Sequence, residues 1–273
     1  ITQAWQNIMP GIEARAMELE IELVKISLSF LRSGNLEEKQ RFLREQKLSG
    51  AILLAALYLG DEPEIQLFRQ AEIPAVLPMG RDVDTLMTPF FIMTDVVRPA
   101  FLAAICHLVR LGHSRIAAIG VASDGDGIRG FTRHECAQYL RCPENDLLLY
   151  HPEWSDAGID ETIRTILALP QIPSALICYS DFIAIKVLEA LKRHGRRVPE
   201  DISVMGFCGY PGGAFLTPAL TTVSLCYEQR GRAAVDFFAD NDLRVEALPQ
   251  IGFELLERAS VRPWSHSPRK SKP

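Results

Sequence analysis

Long hydrophobic runs are missing from these 273 residues. The densest, Ser49–Gly60 (SGAILLAALYLG), falls short of the ~18 apolar residues a membrane-spanning helix needs, so no membrane partner is expected. Cysteine occurs at positions 106, 136, 142, 178, 208 and 226 but never as C-x-x-C. Cys106, Cys178, Cys208 and Cys226 sit in or beside apolar runs, where a free thiol behaves as a small hydrophobe. That usage points to a reducing, cytoplasmic compartment rather than a disulfide framework. An excess of positive charge is lacking too: the net charge is -5. Clustered Lys and Arg, which phosphate contacts require, occur only in the tail Arg262–Pro273, read as a disordered terminus. Residues 1–30 carry neither the basic start nor the small-residue cleavage site of a secretory signal. No Met begins them, so Ile1 is not expected to be the natural start.

Catalytic and metal signatures are equally scarce. There is no G-x-S-x-G nucleophile elbow and no H-E-x-x-H. His134-Glu135-Cys136 falls on a helical stretch, where adjacent side chains point apart and cannot share an ion. His107 and His113 flank a helix end and read as structural, and no acid pair is spaced for general acid–base work. No catalytic residue, metal or cofactor is therefore expected. The exception in form is Gly125–Gly130 (GDGIRG), which matches G-x-G-x-x-G. A dinucleotide fingerprint turns directly off its strand onto a helix amino terminus, whereas Val121–Asp124 intervene here. It reads as a glycine-rich connection, and a nucleotide-dependent enzyme is the third-ranked function.

What is present is an ordinary globular composition, 48% hydrophobic and 23% charged, long enough for two compact lobes. Short apolar runs alternate with helical patterns, the signature of βαβ units around parallel sheets. The expected strands are Glu22–Leu28, Gly50–Ala56, Pro74–Pro78, Phe90–Met93, Arg115–Gly120, Ser174–Tyr179 and Ile202–Phe207. Between Asp95 and Gly112, Val97, Phe101, Ile105, Leu108 and Leu111 recur at spacings of three and four, so they form one buried helical stripe. Asp95 is its candidate cap and Gly112 its stop. A second helix follows Tyr179-Ser180-Asp181, capped by Ser180 or Asp181. Val204–Gly213 (VMGFCGYPGG) reads as a strand running into a glycine-rich turn, where α/β proteins usually meet ligands.

Four stretches, Leu108–Gly120, Pro173–Phe207, Thr217–Leu225 and Leu255–Val261, together resemble the effector-binding part of LacI/GalR transcriptional regulators. The resemblance runs from about Trp5 to Val261. It implies a type I periplasmic-binding-protein fold, α/β, with two doubly wound parallel-sheet lobes joined by three crossovers and a ligand cleft between. The first lobe maps to residues 1–112 plus 226–247, the second to 113–225 plus 248–263, and the tail to 264–273. Such regulators also carry a helix-turn-helix and a first strand ahead of the position of Ile1. The implied partners are a small-molecule effector such as a sugar, operator DNA through that amino-terminal domain, and a second copy in a homodimer. A periplasmic substrate-binding protein of a sugar transporter is the alternative.

The candidate effector site comprises Trp5 and Asp95, which fall where the resemblance puts a ligand-packing aromatic and a cleft-facing acid, Tyr179, Ser180, Cys208 and Leu225 at strand ends, and Asp124, Asp126 and Arg129 of the neighbouring loop. Two positions depart from the family. Its R-x-x-G-F reads Gly127-Ile128-Arg129-Gly130-Phe131, and its G-[FY]-D reads Gly206-Phe207-Cys208. A guanidinium and a carboxylate, the strongest polar anchors for a hydroxylated ligand, are thereby replaced. Either Arg129, Asp124 and Asp126 rebuild a polar site or the pocket takes a less polar effector.

Overall fold

The computed structural model describes residues 3–54, 62–78, 90–93, 96–120, 127–128, 131–132, 138, 147–239 and 250–264. In chain order their elements are α1 (Gln3–Glu18), α2 (Leu28–Arg32), α3 (Leu36–Gln46), β1 (Ala51–Ile52), α4 (Pro63–Gln70), β2 (Ala75–Leu77), β3 (Phe90–Ile92) and α5 (Val97–Arg110). There follow β4 (Ile116–Ile119), β5 (Gly127–Ile128), β6 (Phe131–Thr132), β7 (Leu147–Tyr150), α6 (Asp156–Leu167), β8 (Ala175–Cys178) and α7 (Asp181–Arg193). The series ends with β9 (Ser203–Met205), β10 (Thr222–Ser224), α8 (Tyr227–Ala239) and β11 (Glu254–Leu256). The chain forms two compact units, Ile1–Asp95 with Cys226–Gly252 and Val96–Leu225 with Phe253–Pro273, and passes between them three times.

In the first unit β1, β2 and β3 form a parallel sheet in that order. Successive side chains of a strand face opposite ways, and here both faces are covered. Ala75 and Leu77 pack with Leu31, Leu43, Ile65 and Phe68 of α2, α3 and α4, while Val76 packs with Phe91, Ala234 and Phe237 on the α8 side. Strands buried on both faces must read as continuous apolar runs, which is why these were recognisable. Helices α1 and α8 meet backbone to backbone. A Cβ on Gly11 would lie 2.0 Å from the Glu228 carbonyl oxygen, and one on Gly231 would lie 2.3 Å from that of Ile8. Only glycine permits this approach. Glu64, fully buried, is held by the Arg32 guanidinium at 2.5 and 2.9 Å, the pairing that a buried carboxylate requires.

Glu22–Leu28 is not a strand. Residues 21–27 belong to no ladder, and Ser27 instead caps α2, its hydroxyl accepting from Phe30 N–H at 3.1 Å. Leu23 and Val24 stay 38% and 40% exposed, so apolar burial does not drive pairing there.

The second unit is built on a parallel sheet ordered β7-β4-β8-β9. Parallel bridges Met205↔Thr221 and Cys208↔Ser224 lay β10 beside β9, and β11 pairs antiparallel with β10. One face packs Ala117, Leu176 and Val204 against Ile159, Ile163 and Ile166 of α6 and Ala184, Val187 and Leu191 of α7. Helix α5 contacts β10 and β11, and Phe101 meets Phe207 edge-on with centroids 5.4 Å apart. For that reason residues 96–112 fall in this unit, whereas the sequence expectation ended the first lobe at residue 112. Gly112 stops α5 as expected, with φ +88°.

At the amino edge of this sheet His113 bonds Ser174 Oγ through Nδ1 (2.9 Å) and the Arg262 carbonyl through Nε2 (3.0 Å). Trp264 stacks on its ring and donates its N–H to the Leu111 carbonyl at 2.7 Å. The body of the unit therefore takes in Trp264, one residue past the expected end of the lobe at 263. Residues 265–273 lie outside the described residues.

A candidate effector site at the carboxyl edge of the second unit

Open parallel sheets usually meet ligands just beyond the carboxyl ends of their strands. The relevant ends here are Ile119–Gly120 after β4, Tyr179–Asp181 after β8, Gly206–Tyr210 after β9 and Leu225 after β10. Backbone bonds knit them together: Tyr179 N–H donates to Ile119 O (2.8 Å), Asp181 N–H to Phe207 O (2.8 Å) and Cys208 N–H to Val223 O (2.9 Å). Sequentially distant Tyr179, Ser180, Cys208 and Leu225 are thus brought to one sheet edge.

Their roles differ. Tyr179 is half-buried and its ring closes over Gly120, where a Cβ would lie 3.1 Å from Cδ2. Ser180 uses its hydroxyl to cap α7, accepting from Ile183 N–H at 3.3 Å. Leu225 is fully buried. Cys208, expected to face the cleft, is only 3% exposed, and its φ of +99° is a conformation in which a side chain is strained. Trp5 lies on α1 with its side chain outside the described residues, and Asp95, Asp124, Asp126 and Arg129 lie outside them altogether.

Two residues that sequence reasoning did not select stand at the same edge. Asp181 is fully buried, yet its carboxylate accepts from the Thr222 hydroxyl (Oδ1, 2.6 Å) and from Tyr210 N–H (Oδ2). Burial pushes this carboxyl up to about 6, against the pull of the Thr222 hydroxyl, the Tyr210 amide and Arg258. Its sequence signal was an acid at the first helical position directly after a buried strand. Trp154, in the connection from β7 to α6, is 50% exposed and stacks flat on Phe182 at 5.8 Å, with Lys186 Nζ 5.0 Å from the centre of the Phe182 ring. A lone Trp in the polar stretch His151–Gly158 was its signal.

Other candidates resolve differently. Within GDGIRG, Gly127–Ile128 pairs antiparallel with Phe131–Thr132, a hairpin rather than the strand-to-helix turn of a dinucleotide site. Burial lowers the His107 and His113 pKa values, consistent with neutral structural imidazoles. Among the described residues no cluster of His, Cys, Asp or Glu is placed to hold a metal. Nor is any helix among them long and apolar enough to cross a membrane. A surface groove of about 320 Å³ in the first unit is lined by Lys25, Ile26, Phe30, Glu38, Arg41 and Phe42 among others. It includes none of the expected site residues.

Residues 105–261 match the family described as periplasmic binding protein-like domain. The chain belongs to that family. All four stretches that resemble LacI/GalR regulators lie within the match. The curated relatives agree with the resemblance. The chain is 28% identical over 250 residues to the HTH-type transcriptional repressor PurR of Aliivibrio fischeri strain MJ11, covering 84% of this chain and 69% of that repressor. It is 29% identical over 225 residues to the arabinose metabolism transcriptional repressor of Geobacillus stearothermophilus, covering 80% of this chain and 61% of the relative. The chain thus spans roughly two thirds of these proteins. Among solved structures, a LacI-family putative transcriptional regulator from Rhizobium etli superposes with TM-score 0.77 at 21% identity over 96% of this chain and 95% of the other. One from Enterococcus faecium with bound ribose gives 0.74 at 17% identity over 97% of each. At these identities the structural likeness speaks for the fold. The Leu255–Val261 motif has a structural reason: Arg258 N–H donates to Thr221 Oγ1, Arg258 Nη1 donates to Leu220 O, and Ser260 Oγ donates to Val204 O, lacing β9 to β10.

Proposed function

We propose that this chain is the effector-sensing region of a LacI/GalR-type transcriptional regulator, in which a bound small molecule alters operator affinity. The observation that carries the reading is the convergence at one sheet edge of Tyr179, Cys208 and the half-exposed Trp154–Phe182 stack, in a chain whose relatives are repressors. Flat aromatic faces suit the apolar face of a sugar or a heterocycle. Trp5, Asp95, Asp124, Asp126, Arg129, Ser180 and Leu225 complete the proposed lining.

A thiol is a poor substitute for an acid as a hydrogen-bond acceptor, so the effector departs from the simplest pentoses and hexoses. The effector acts by population shift, favouring the lobe arrangement to which it binds more tightly. Operator DNA is met through a helix-turn-helix outside these residues, the assembly is a cytoplasmic homodimer, and its two-fold symmetry matches palindromic operators.

Thermal shift with D-ribose, sucrose, adenosine and indole tests the reading. A genuine effector class raises Tm by mass action, equivalent to about 2.7 kcal/mol at a hundred times Kd. Trp154→Ala, Arg129→Ala and Asp95→Ala should each reduce that shift. If all three leave it intact, the site lies elsewhere.

A further inference from the structure

The turn that replaces the family's acid by Cys208 is held by an acid from another element. Cys208 and Gly209 both have positive φ, +99° and +71°, and the turn they begin has two side-chain anchors in the described hydrogen bonds. Gly209 N–H donates to Thr222 Oγ1 at 3.3 Å, and Tyr210 N–H donates to Asp181 Oδ2. The Thr222 hydroxyl itself donates to Asp181 Oδ1, so both anchors lead to one fully buried carboxylate. Gly206 leaves room for it: a Cβ there would lie 2.1 Å from Asp181 Oδ1.

We infer that Asp181 is the positioning residue for the Cys208–Tyr210 turn, its carboxylate holding the turn in shape and its protonation loosening it. The inference rests on the reading that this edge meets the effector. A bond to an ionised acceptor is roughly twice as strong as a neutral one, so proton uptake weakens the Tyr210 anchor directly. Each carboxylate oxygen accepts one of these bonds, Oδ1 from the Thr222 hydroxyl and Oδ2 from Tyr210 N–H, so a proton on either oxygen disturbs one anchor. On Oδ1 the new O–H faces Thr222 Oγ1, whose own hydrogen must turn away, so the bond that ties the Gly209 anchor to the carboxylate is remade in the reverse direction without its charge assistance. The ionisable groups that bear on Asp181 are Arg258, after β11, which favours the carboxylate, and Cys178 of β8, whose thiol is pushed far up by burial with Asp181 adding to it. To the carboxylate itself, Phe207 and Tyr210 after β9 present backbone N–H donors and Thr222 of β10 a hydroxyl donor, none of them ionisable in this range.

Backbone amide exchange by mass spectrometry on this chain reads the turn without a ligand. An opening that breaks the Thr222 and Tyr210 bonds but leaves Asp181 in the core removes donors that hold its pKa down, so protonation favours that opening. Corrected for intrinsic rates, peptides spanning 206–213 in the wild type should exchange about tenfold faster near pH 5 than near pH 7.5. In Asp181→Asn they should be fast at both, with β8 and α6 peptides unchanged. Thr222→Val, which keeps the acid but removes a donor that favours its ionised form, should move the midpoint of the change upward. Turn exchange indifferent to pH and to Asp181→Asn, or rising in step with β8 and α6, would overturn the inference. The effector reading is scored separately, by binding of D-ribose, sucrose, adenosine or indole across the same pH range. Exchange that follows Asp181 with no compound bound upholds the positioning and sinks that reading; binding with exchange indifferent to Asp181 does the reverse.

Discussion

The two edges of the second unit's sheet are both polar, yet they are built on opposite terms. At the amino edge His113 is satisfied on both ring nitrogens, by Ser174 and the Arg262 carbonyl, and stacked by Trp264. None of these four residues has a positive φ. At the carboxyl edge a buried acid sits beside a strained Cys208, and the Trp154 ring is left half in solvent. An edge that merely closes a core satisfies its groups cheaply, whereas strain and a buried charge persist only where surrounding structure enforces them. Functional sites are where such costs concentrate.

The largest break in this contrast should come from Gly206→Ala. Its new Cβ would lie 2.1 Å from Asp181 Oδ1 and 2.9 Å from Leu220 Cδ2. The carboxylate could move only by breaking its bonds to Thr222 and Tyr210 and Leu220 is fully buried, so a loss of about 3 kcal/mol is expected in urea unfolding. The pH response comes next, and the two edges carry opposite signs. Asp181 is raised to about 6. Its favourable contribution is thus present below its ordinary value near 3.9 and is lost as pH rises through about 6, in total about 3 kcal/mol. His113 is depressed by burial, so its contribution is present above its ordinary value near 6.5 and is lost as pH falls below it. Relative to wild type, Asp181→Asn should therefore gain in Tm from pH 4 to 7, by linkage. The deficit of His113→Ala should shrink in acid.

At neutral pH His113→Ala should cost about 2 kcal/mol by leaving the Arg262 carbonyl unpaired and Ser174 with a lost partner. Calorimetry would show that cost, and effector-induced shifts should be unaffected. The smallest effect belongs to Cys208→Gly. Relief of its positive φ and loss of a buried thiol oppose each other at about 1 kcal/mol apiece, so stability should stay within about 1 kcal/mol. A loss well beyond that would mean the thiol contributes more packing than its burial suggests.

Much of this was legible beforehand, and the reasons are local. Ala75–Leu77, Ile116–Ile119, Ala175–Cys178 and Ser203–Met205 are buried on both faces, so composition alone marked them. Helix α5 showed its stripe because Phe101, Ile105 and Leu108 face one core. Glu22–Leu28 misled for the complementary reason: its residues look like a strand, but pairing depends on neighbours that a local pattern does not contain. Leu147–Tyr150 went unrecognised, as did the pairing of β10 with β11. Tyr179, Ser180 and Cys208 could be selected because each directly follows a strand. Asp181 was read only as a cap, since its burial depends on Thr222, which is distant in sequence.

Sequence by itself determined the α/β alternation, the LacI/GalR resemblance and the replacement of two family anchors by Gly127 and Cys208. These follow from residue type and spacing, which are properties of the chain. Tertiary structure alone decided that residues 96–112 join the second unit, that Ser180 uses its hydroxyl inside the fold, and that Asp181 holds the Cys208 turn. Each of those depends on which distant groups come within bonding distance, and on the water they exclude when they do.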